Sequence, residues 1–440
     1  MESELRGKKL KMGFAQTIFL RSVSQFRNCH VEIYQSGQVF SFGDPEHALH
    51  AQLFVHNDRF FSRAVFGGDI GLGESFMDGD WSSPDLVALV RATVRNMEFL
   101  DAGNRVVSGL ARVAHRVQHW RNDNTQTGSR KNIAYHYDLG NEFYKLFLDE
   151  TLAYSCGCFE SDDDSLHTAQ RNKFDRICRK LDLKASDHLL EIGTGWGGFA
   201  AYAAGKYGCR VTTTTISKEQ YEHSRALFES LPQGGRIELL FQDYRELRGR
   251  YDKLVSIEMF EAVGHRHYDE FFGACERLLA TDGMMLLQTI TMNERHFKTY
   301  LRESDWIKRY IFPGAELASV ASIIKSCARV GSLQLAHMED IGEHYARTLR
   351  AWRLNFMSRL EEVGALGFDL RFQRMWEYYL SYCEGAFAEH YIGDAQLLLA
   401  KPAAGLAVLN HWSERGAEAL TAPDGFSVTK AAELSRRRAN

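Results

Sequence analysis

Leu189-Leu-Glu-Ile-Gly-Thr-Gly-Trp-Gly-Gly198, running straight into Phe199-Ala-Ala-Tyr-Ala-Ala204, decides how this chain folds. A short apolar run ending in glycines reads as a buried strand, and the alanine-rich stretch after it reads as a helix. Glycines 193, 195 and 197 let the backbone turn tightly and come close to a ligand at the helix N-terminus. A dinucleotide site would want G-x-G-x-x-G and an acid closing the second strand. Here the spacing is G-x-G-x-G-G, and the second strand runs out as Thr214-Thr-Ile-Ser-Lys-Glu-Gln220.

Outward from this loop the pattern alternates strand and helix, as in a doubly wound α/β sheet. Strands are expected at His188–Gly193, Arg210–Ser217, Ile237–Asp243, Lys253–Phe260, Gly283–Ile290 and Ala395–Lys401, with a further one at Gln334–Asp340. The expected fold class is therefore a Rossmann-like doubly wound sheet with a smaller N-terminal α+β domain. The boundaries are 1–122 for a lipid- or membrane-associated accessory domain, 123–130 for a polar linker, 131–403 for the catalytic domain and 404–440 for a tail. Between residues 30 and 95, short β-like runs such as Val31–Tyr34 and Gln38–Phe42 alternate with glycine turns. Val106, Leu110, Val113, Val117 and Trp120 mark one face of a helix, with Arg105, Arg112 and Arg116 beside it.

At 440 residues the chain exceeds one ordinary hydrophobic core, and a net charge of −4 argues against bulk-charge binding of nucleic acid. The eight cysteines are scattered, as free thiols of a reducing cytosol would be. No run of about eighteen apolar residues is present to span a bilayer. The stretch Gly13–Leu20 after Lys8, Lys9 and Lys11 is short and polar in part, so export is not expected.

The loop at 189–198 resembles the first motif of class I methyltransferases, whose S-adenosyl-L-methionine (SAM) carries no phosphate. Four further segments narrow this to one family. Tyr137–Asp149 with Tyr154-Ser-Cys156, Ile257-Glu-Met-Phe-Glu-Ala-Val-Gly-His265, Trp306–Gly314 and Trp376–Phe387 resemble segments of the cyclopropane-fatty-acid synthase and mycolic acid cyclopropane synthase family. His56–Phe61 and Gly71–Gly79 resemble the extra domain of its phospholipid-acting branch. The resemblance spans roughly residues 30 to 402. It implies an enzyme that transfers the SAM methyl group to the cis double bond of an unsaturated phospholipid acyl chain, working at the inner face of the membrane from the cytoplasm. A homodimer stays open.

By position, Tyr154, Ser155, Gly193, Gly195, Thr215, Gln220, Tyr244 and Ile257 are the SAM contacts that the resemblance implies. An alkene is a weak nucleophile, so catalysis must come mainly from positioning, and methyl transfer leaves a carbocation that aromatic faces can stabilise. Tyr300, Trp306, Tyr310, Phe312, Trp376, Tyr378 and Tyr379 offer such faces. Closing a cyclopropane ring then requires a base. The resemblance implies bicarbonate, held by the backbone amides of Cys156 and Ile290 with Glu261, Gln288 and Tyr345 around it. Many relatives carry histidine where this chain has Gln288, and glutamine takes up no proton near neutral pH. That substitution keeps a methylene- or methyl-branched product as the alternative. Cys383 matches a cysteine discussed as catalytic, but cation chemistry needs no thiol, and helix packing is the favoured reading. His265-Arg-His267 and Cys156-Gly-Cys158 lack a second pair of ligands, so no metal is expected.

Overall fold

The computed structural model describes residues 13–97 and 139–405. The stripe from Val106 to Trp120 with its three arginines, the linker 123–130 and most of the 404–440 tail lie outside the described residues. Two compact units emerge, one built from the N-terminal residues together with Asp369–Glu389 and the other from the remainder.

The first unit holds a four-stranded sheet in the order β2-β1-β3-β4, from β1 (His30–Gln35), β2 (Gln38–Gly43), β3 (His50–Val55) and β4 (Trp81–Ser82). β1 and β2 form a hairpin through Ser36 and Gly37, both at positive φ, as a two-residue turn demands. Residues 59–95 differ from the expected alternation of strands and turns. Arg59–Met77 and Leu86–Arg95 are helices. Glycines 68 and 71 are what disguised the first of them. Gly68 kinks the helix at φ 55°, and a Cβ on Gly71 would sit 2.2 Å from the Arg63 carbonyl oxygen, so glycine here serves close packing across the kink. Phe14–Val23 is also helical, and its Phe19 ring meets Phe60 and Phe61 edge-on.

Leu370–Ala388 completes this unit. Tyr378 packs on Phe76 and Trp81, and Gly385 lies so close to Val90 that a Cβ would fall 2.6 Å from its methyl carbon. A helix expected inside the 131–403 region thus falls in the first compact unit. Trp376, Tyr378, Tyr379 and Cys383 go with it.

The second unit is a seven-stranded sheet in the order β10-β11-β9-β8-β5-β6-β7. Its strands are β5 (His188–Ile192), β6 (Arg210–Thr215), β7 (Ile237–Phe241), β8 (Tyr251–Ile257), β9 (Leu279–Met292), β10 (Gln334–Asp340) and β11 (Ile392–Ala400). β5 to β9 are parallel, while β11 runs antiparallel between β9 and β10. The alternation along the central strands shows why both faces are covered. Met285 and Leu287 enter one buried cluster with Phe260, Phe271 and Phe272, while Met284 and Leu286 enter the other with Phe174, Ile177 and Phe199. A strand that is apolar on every residue needs a layer on each side. All eight cysteines are thiols, seven of them buried. No helix among the described residues is long and apolar enough to cross a membrane.

Candidate active site

Where β5 ends, three glycines hold positive φ: Gly193 at 103°, Gly195 at 55° and Gly197 at 89°. The loop is pinned to the next strand, with the amides of Gly193 and Thr194 both donating to the Thr214 carbonyl. Thr194 and Thr213 share a hydroxyl bond of 2.7 Å, and Thr213 donates to Glu191 at 2.5 Å. The side of Gly195 where a Cβ would stand is open, with no atom within 4 Å. Gln220 lies buried in the first turn of the helix Lys218–Ser230, and its carbonyl oxygen accepts from the Thr215 hydroxyl at 2.8 Å. Trp196 packs against Tyr144 at 4.8 Å with tilted rings, and Tyr144 in turn meets Tyr154 at 5.4 Å. Ser155 accepts a 2.5 Å bond from Lys173, a fully buried lysine whose ammonium burial pushes toward the neutral form. Tyr244 packs on Phe271, and Ile257 closes β8 on the opposite buried cluster. The glycine loop, Thr215, Gln220, Tyr154 and Ser155 thus border the C-terminal ends of β5 and β6, where ligands bind in open α/β sheets.

Glu191 is 2% exposed, and burial pushes its carboxyl up to about 8 against the opposing Thr213 hydrogen bond. Burial, followed by repulsion from Glu258, likewise raises Glu261 to about 7. Both groups hold protons more tightly folded than unfolded. Their contribution is complete below about pH 4.5 and is lost as pH rises through 7 to 8, at up to about 1.4 kcal/mol per unit for each group. Urea unfolding followed from pH 5 to pH 8 should show falling stability, and Glu191→Gln should flatten that slope. An unchanged slope in the variant refutes the assignment.

The second half of the site is a cluster of three carboxylates at the ends of β8, β9 and β11. Glu258 gathers the donors. Its Oε1 accepts from the Cys156 amide and the Gln288 side-chain amide, each at 2.8 Å, and its Oε2 accepts from the Tyr345 hydroxyl at 2.6 Å. Glu261 takes the Ile290 amide at 2.6 Å and the Thr289 hydroxyl at 2.9 Å. Asp394, wholly buried and strongly raised by that burial, accepts from Gln288 at 3.2 Å. The orientation of Gln288 is fixed from behind. Its carbonyl oxygen accepts from Gln396, whose own oxygen accepts from Lys180. Both protons of its amide are then aimed at carboxylates, which a histidine ring nitrogen could not supply.

Two contacts connect the halves. A Cβ on Gly193 would lie 3.1 Å from that of Met259, so the residue after Glu258 touches the glycine loop. Trp352 meets Tyr154 at 5.2 Å and Tyr345 at 6.1 Å, forming an aromatic wall from one half to the other. Phe312 adds to it against Tyr154.

The five residues expected around bicarbonate (Cys156, Glu261, Gln288, Ile290 and Tyr345) are indeed brought together, but the chain's own carboxylates already take their donors. A further anion would have to displace Glu258 or Glu261 from these donors, so bicarbonate does not fit this arrangement. Of the aromatic candidates, Tyr300 is otherwise engaged, with the Lys308 ammonium 3.5 Å over its ring. Cys383 lies on the helix Leu370–Ala388 of the first unit. Sequence reasoning passed over Glu258, although it sits inside a quoted motif, and also Asp394, Lys173 and Trp352. An acid within the apolar run of β11 was the available signal for Asp394. His265 hydrogen-bonds Glu316 at 2.7 Å.

Comparison with known proteins gives this geometry its context. Residues 124–397 match the family model described as mycolic acid cyclopropane synthetase. Tuberculostearic acid methyltransferase UfaA1 of Mycobacterium tuberculosis is 36% identical over 83% of this chain and 86% of its own. Cyclopropane-fatty-acyl-phospholipid synthase of Escherichia coli K12 is 37% identical over 77% of this chain and 84% of its own. The solved mycolic acid cyclopropane synthase CmaA1, complexed with SAH and CTAB, is 33% identical, with a TM-score of 0.58 over 62% of this chain and 98% of that one. A seven-stranded sheet with a glycine loop at its switch point and sequence likeness of this extent lead to one conclusion: the chain is a SAM-dependent methyltransferase and belongs to the mycolic acid cyclopropane synthetase family.

Proposed function

We propose that this enzyme methylates the cis double bond of an unsaturated phospholipid acyl chain, working from the membrane surface, and that loss of a proton from the new methyl group closes a cyclopropane ring. The observation that carries this reading is the joining of a SAM-type glycine loop to a partly open carboxylate cluster by a wall of aromatic rings. The backbone at Gly193 and Gly195, the side chains of Thr215 and Gln220, and Tyr154 and Ser155 hold the cofactor, with Tyr244 and Ile257 at its edge. Bound SAM supplies an electrophilic methyl group. The faces of Tyr154, Trp352 and Phe312 stabilise positive charge developing on the acyl chain without forming a bond to it. A carboxylate then receives the proton. No step is assigned to bicarbonate, because Glu258 and Glu261 occupy the amides expected to hold it.

The relative named for tuberculostearic acid, together with glutamine at position 288, supports a second reading in which the same methyl transfer ends in a methylene or methyl branch. Incubation with labelled SAM and either unsaturated phospholipid vesicles or a cell metabolite extract tests the substrate class. Label is expected in the vesicle acyl chains, and mass spectrometry of the released fatty acids separates ring from branch. Label confined to soluble metabolites sinks the lipid reading.

A further inference from the structure

Glu258 stands at φ 48°, a backbone conformation that glycine adopts freely and that costs an L side chain about 1 kcal/mol or more. Its carboxylate is nevertheless met by three donors from three separate parts of the chain: the Cys156 amide, the Gln288 side chain on β9 and the Tyr345 hydroxyl from the helix Gly342–Met357. Such convergence on one anion is the geometry of an anion site, and here the chain fills that site with its own side chain. Among the three carboxylates of the cluster, Glu261 is 9% exposed and Asp394 is fully buried, whereas Glu258 is half-buried. It is the most exposed of the three. Its neighbour Met259 touches the glycine loop where the methyl donor is proposed to bind.

Resting on the methyl-transfer reading above, we infer that the Glu258 carboxylate is the built-in general base of this enzyme, standing where a free anion would otherwise be recruited, so that turnover needs no added bicarbonate. In the step it performs, a C–H bond of the transferred methyl group breaks. The electron pair of that bond closes the ring on the cationic carbon, and the proton joins a Glu258 oxygen. The resulting neutral acid returns the proton to water, which restores the carboxylate. Gln288, fixed from behind by Gln396 and Lys180, and Tyr345 are positioning residues that hold the carboxylate in place.

The test uses the full chain, labelled SAM and unsaturated phospholipid vesicles in carbonate-free buffer, with and without sodium bicarbonate. Wild-type turnover should be the same in both. Glu258→Gly relieves the positive φ and so should fold. It should lose about 10²–10⁴-fold in turnover while still binding SAM, and sodium bicarbonate should restore about tenfold or more by entering the vacated donors. Glu258→Gln, which keeps the side-chain shape but takes up no proton, should be equally slow and should not respond to bicarbonate. The proposal is overturned by a wild-type enzyme that requires bicarbonate. It is also overturned by either variant at near-wild-type turnover without bicarbonate, or by a SAM-binding Glu258→Gly enzyme that bicarbonate does not revive. Wild-type enzyme that leaves the vesicle lipids unlabelled under every condition is a different failure, that of the lipid-methylation reading itself.

Discussion

Replacing Glu261 by alanine should lower folding stability by about 2–4 kcal/mol and turnover by about 10²-fold or more. The Glu261 carboxylate accepts from the Ile290 amide and the Thr289 hydroxyl, and both Glu261 and Thr289 are buried. Alanine leaves the Ile290 amide unpaired and the Thr289 hydroxyl with only a long 3.4 Å bond to the Ile290 carbonyl, and a buried unpaired donor costs about 1–3 kcal/mol. Part of that loss is offset, because one of three mutually repelling acids has gone. Ile290 forms the strand end beside Gln288, so the loss should also loosen the placement of Glu258. Glu261→Gln keeps an oxygen for the Ile290 amide and should recover most of the stability. Urea titration and turnover measured on both variants decide the matter. Alanine at wild-type stability would mean that the two bonds contribute nothing.

Gly193→Ala should weaken SAM binding about 10–100-fold, the largest effect expected in the cofactor loop. At φ 103° any L side chain is strained, and the new methyl would press on Met259 at 3.1 Å, so the loop must shift. Gly195→Ala is the informative contrast. Its φ of 55° is tolerated at about 1 kcal/mol, and its Cβ would meet no protein atom. A fall in SAM affinity there, with Tm little changed, reports a methyl group standing in the ligand's place. Calorimetry showing unchanged affinity in the Gly195 variant removes that glycine from the proposed contacts.

The second unit was readable because its strands are buried on both faces and stand out as apolar runs. Gln334–Asp340 coincides with β10, and the other expected strands fall within a few residues of β5 to β9 and β11. The first unit was harder. Glycines 68 and 71 carry a kink and a close helical approach, and in a linear reading they look the same as turn glycines. The site was legible as a set of positions but not as a set of bonds. Cys156, Gln288, Ile290 and Tyr345 could be chosen from motifs. That three of their donors close on Glu258, three residues before the acid chosen, depends on a φ of 48° that no periodicity announces. Asp394 and Lys173 are charged residues on otherwise apolar faces, and only the three-dimensional packing shows what neutralises them.

The helix Leu370–Ala388 sets the order in which this protein can be finished on the ribosome. The N-terminal strands and helices emerge first, yet Phe76 and Trp81 wait for Tyr378, which is translated after β10. β9 and β10 wait in turn for β11, which follows that helix directly. The first unit cannot close its core until synthesis has passed Ala388, nor the second until it has passed Ala400. For most of translation the nascent chain therefore carries two unfinished apolar surfaces, a state that favours slow elongation or chaperone shelter over early domain-by-domain folding.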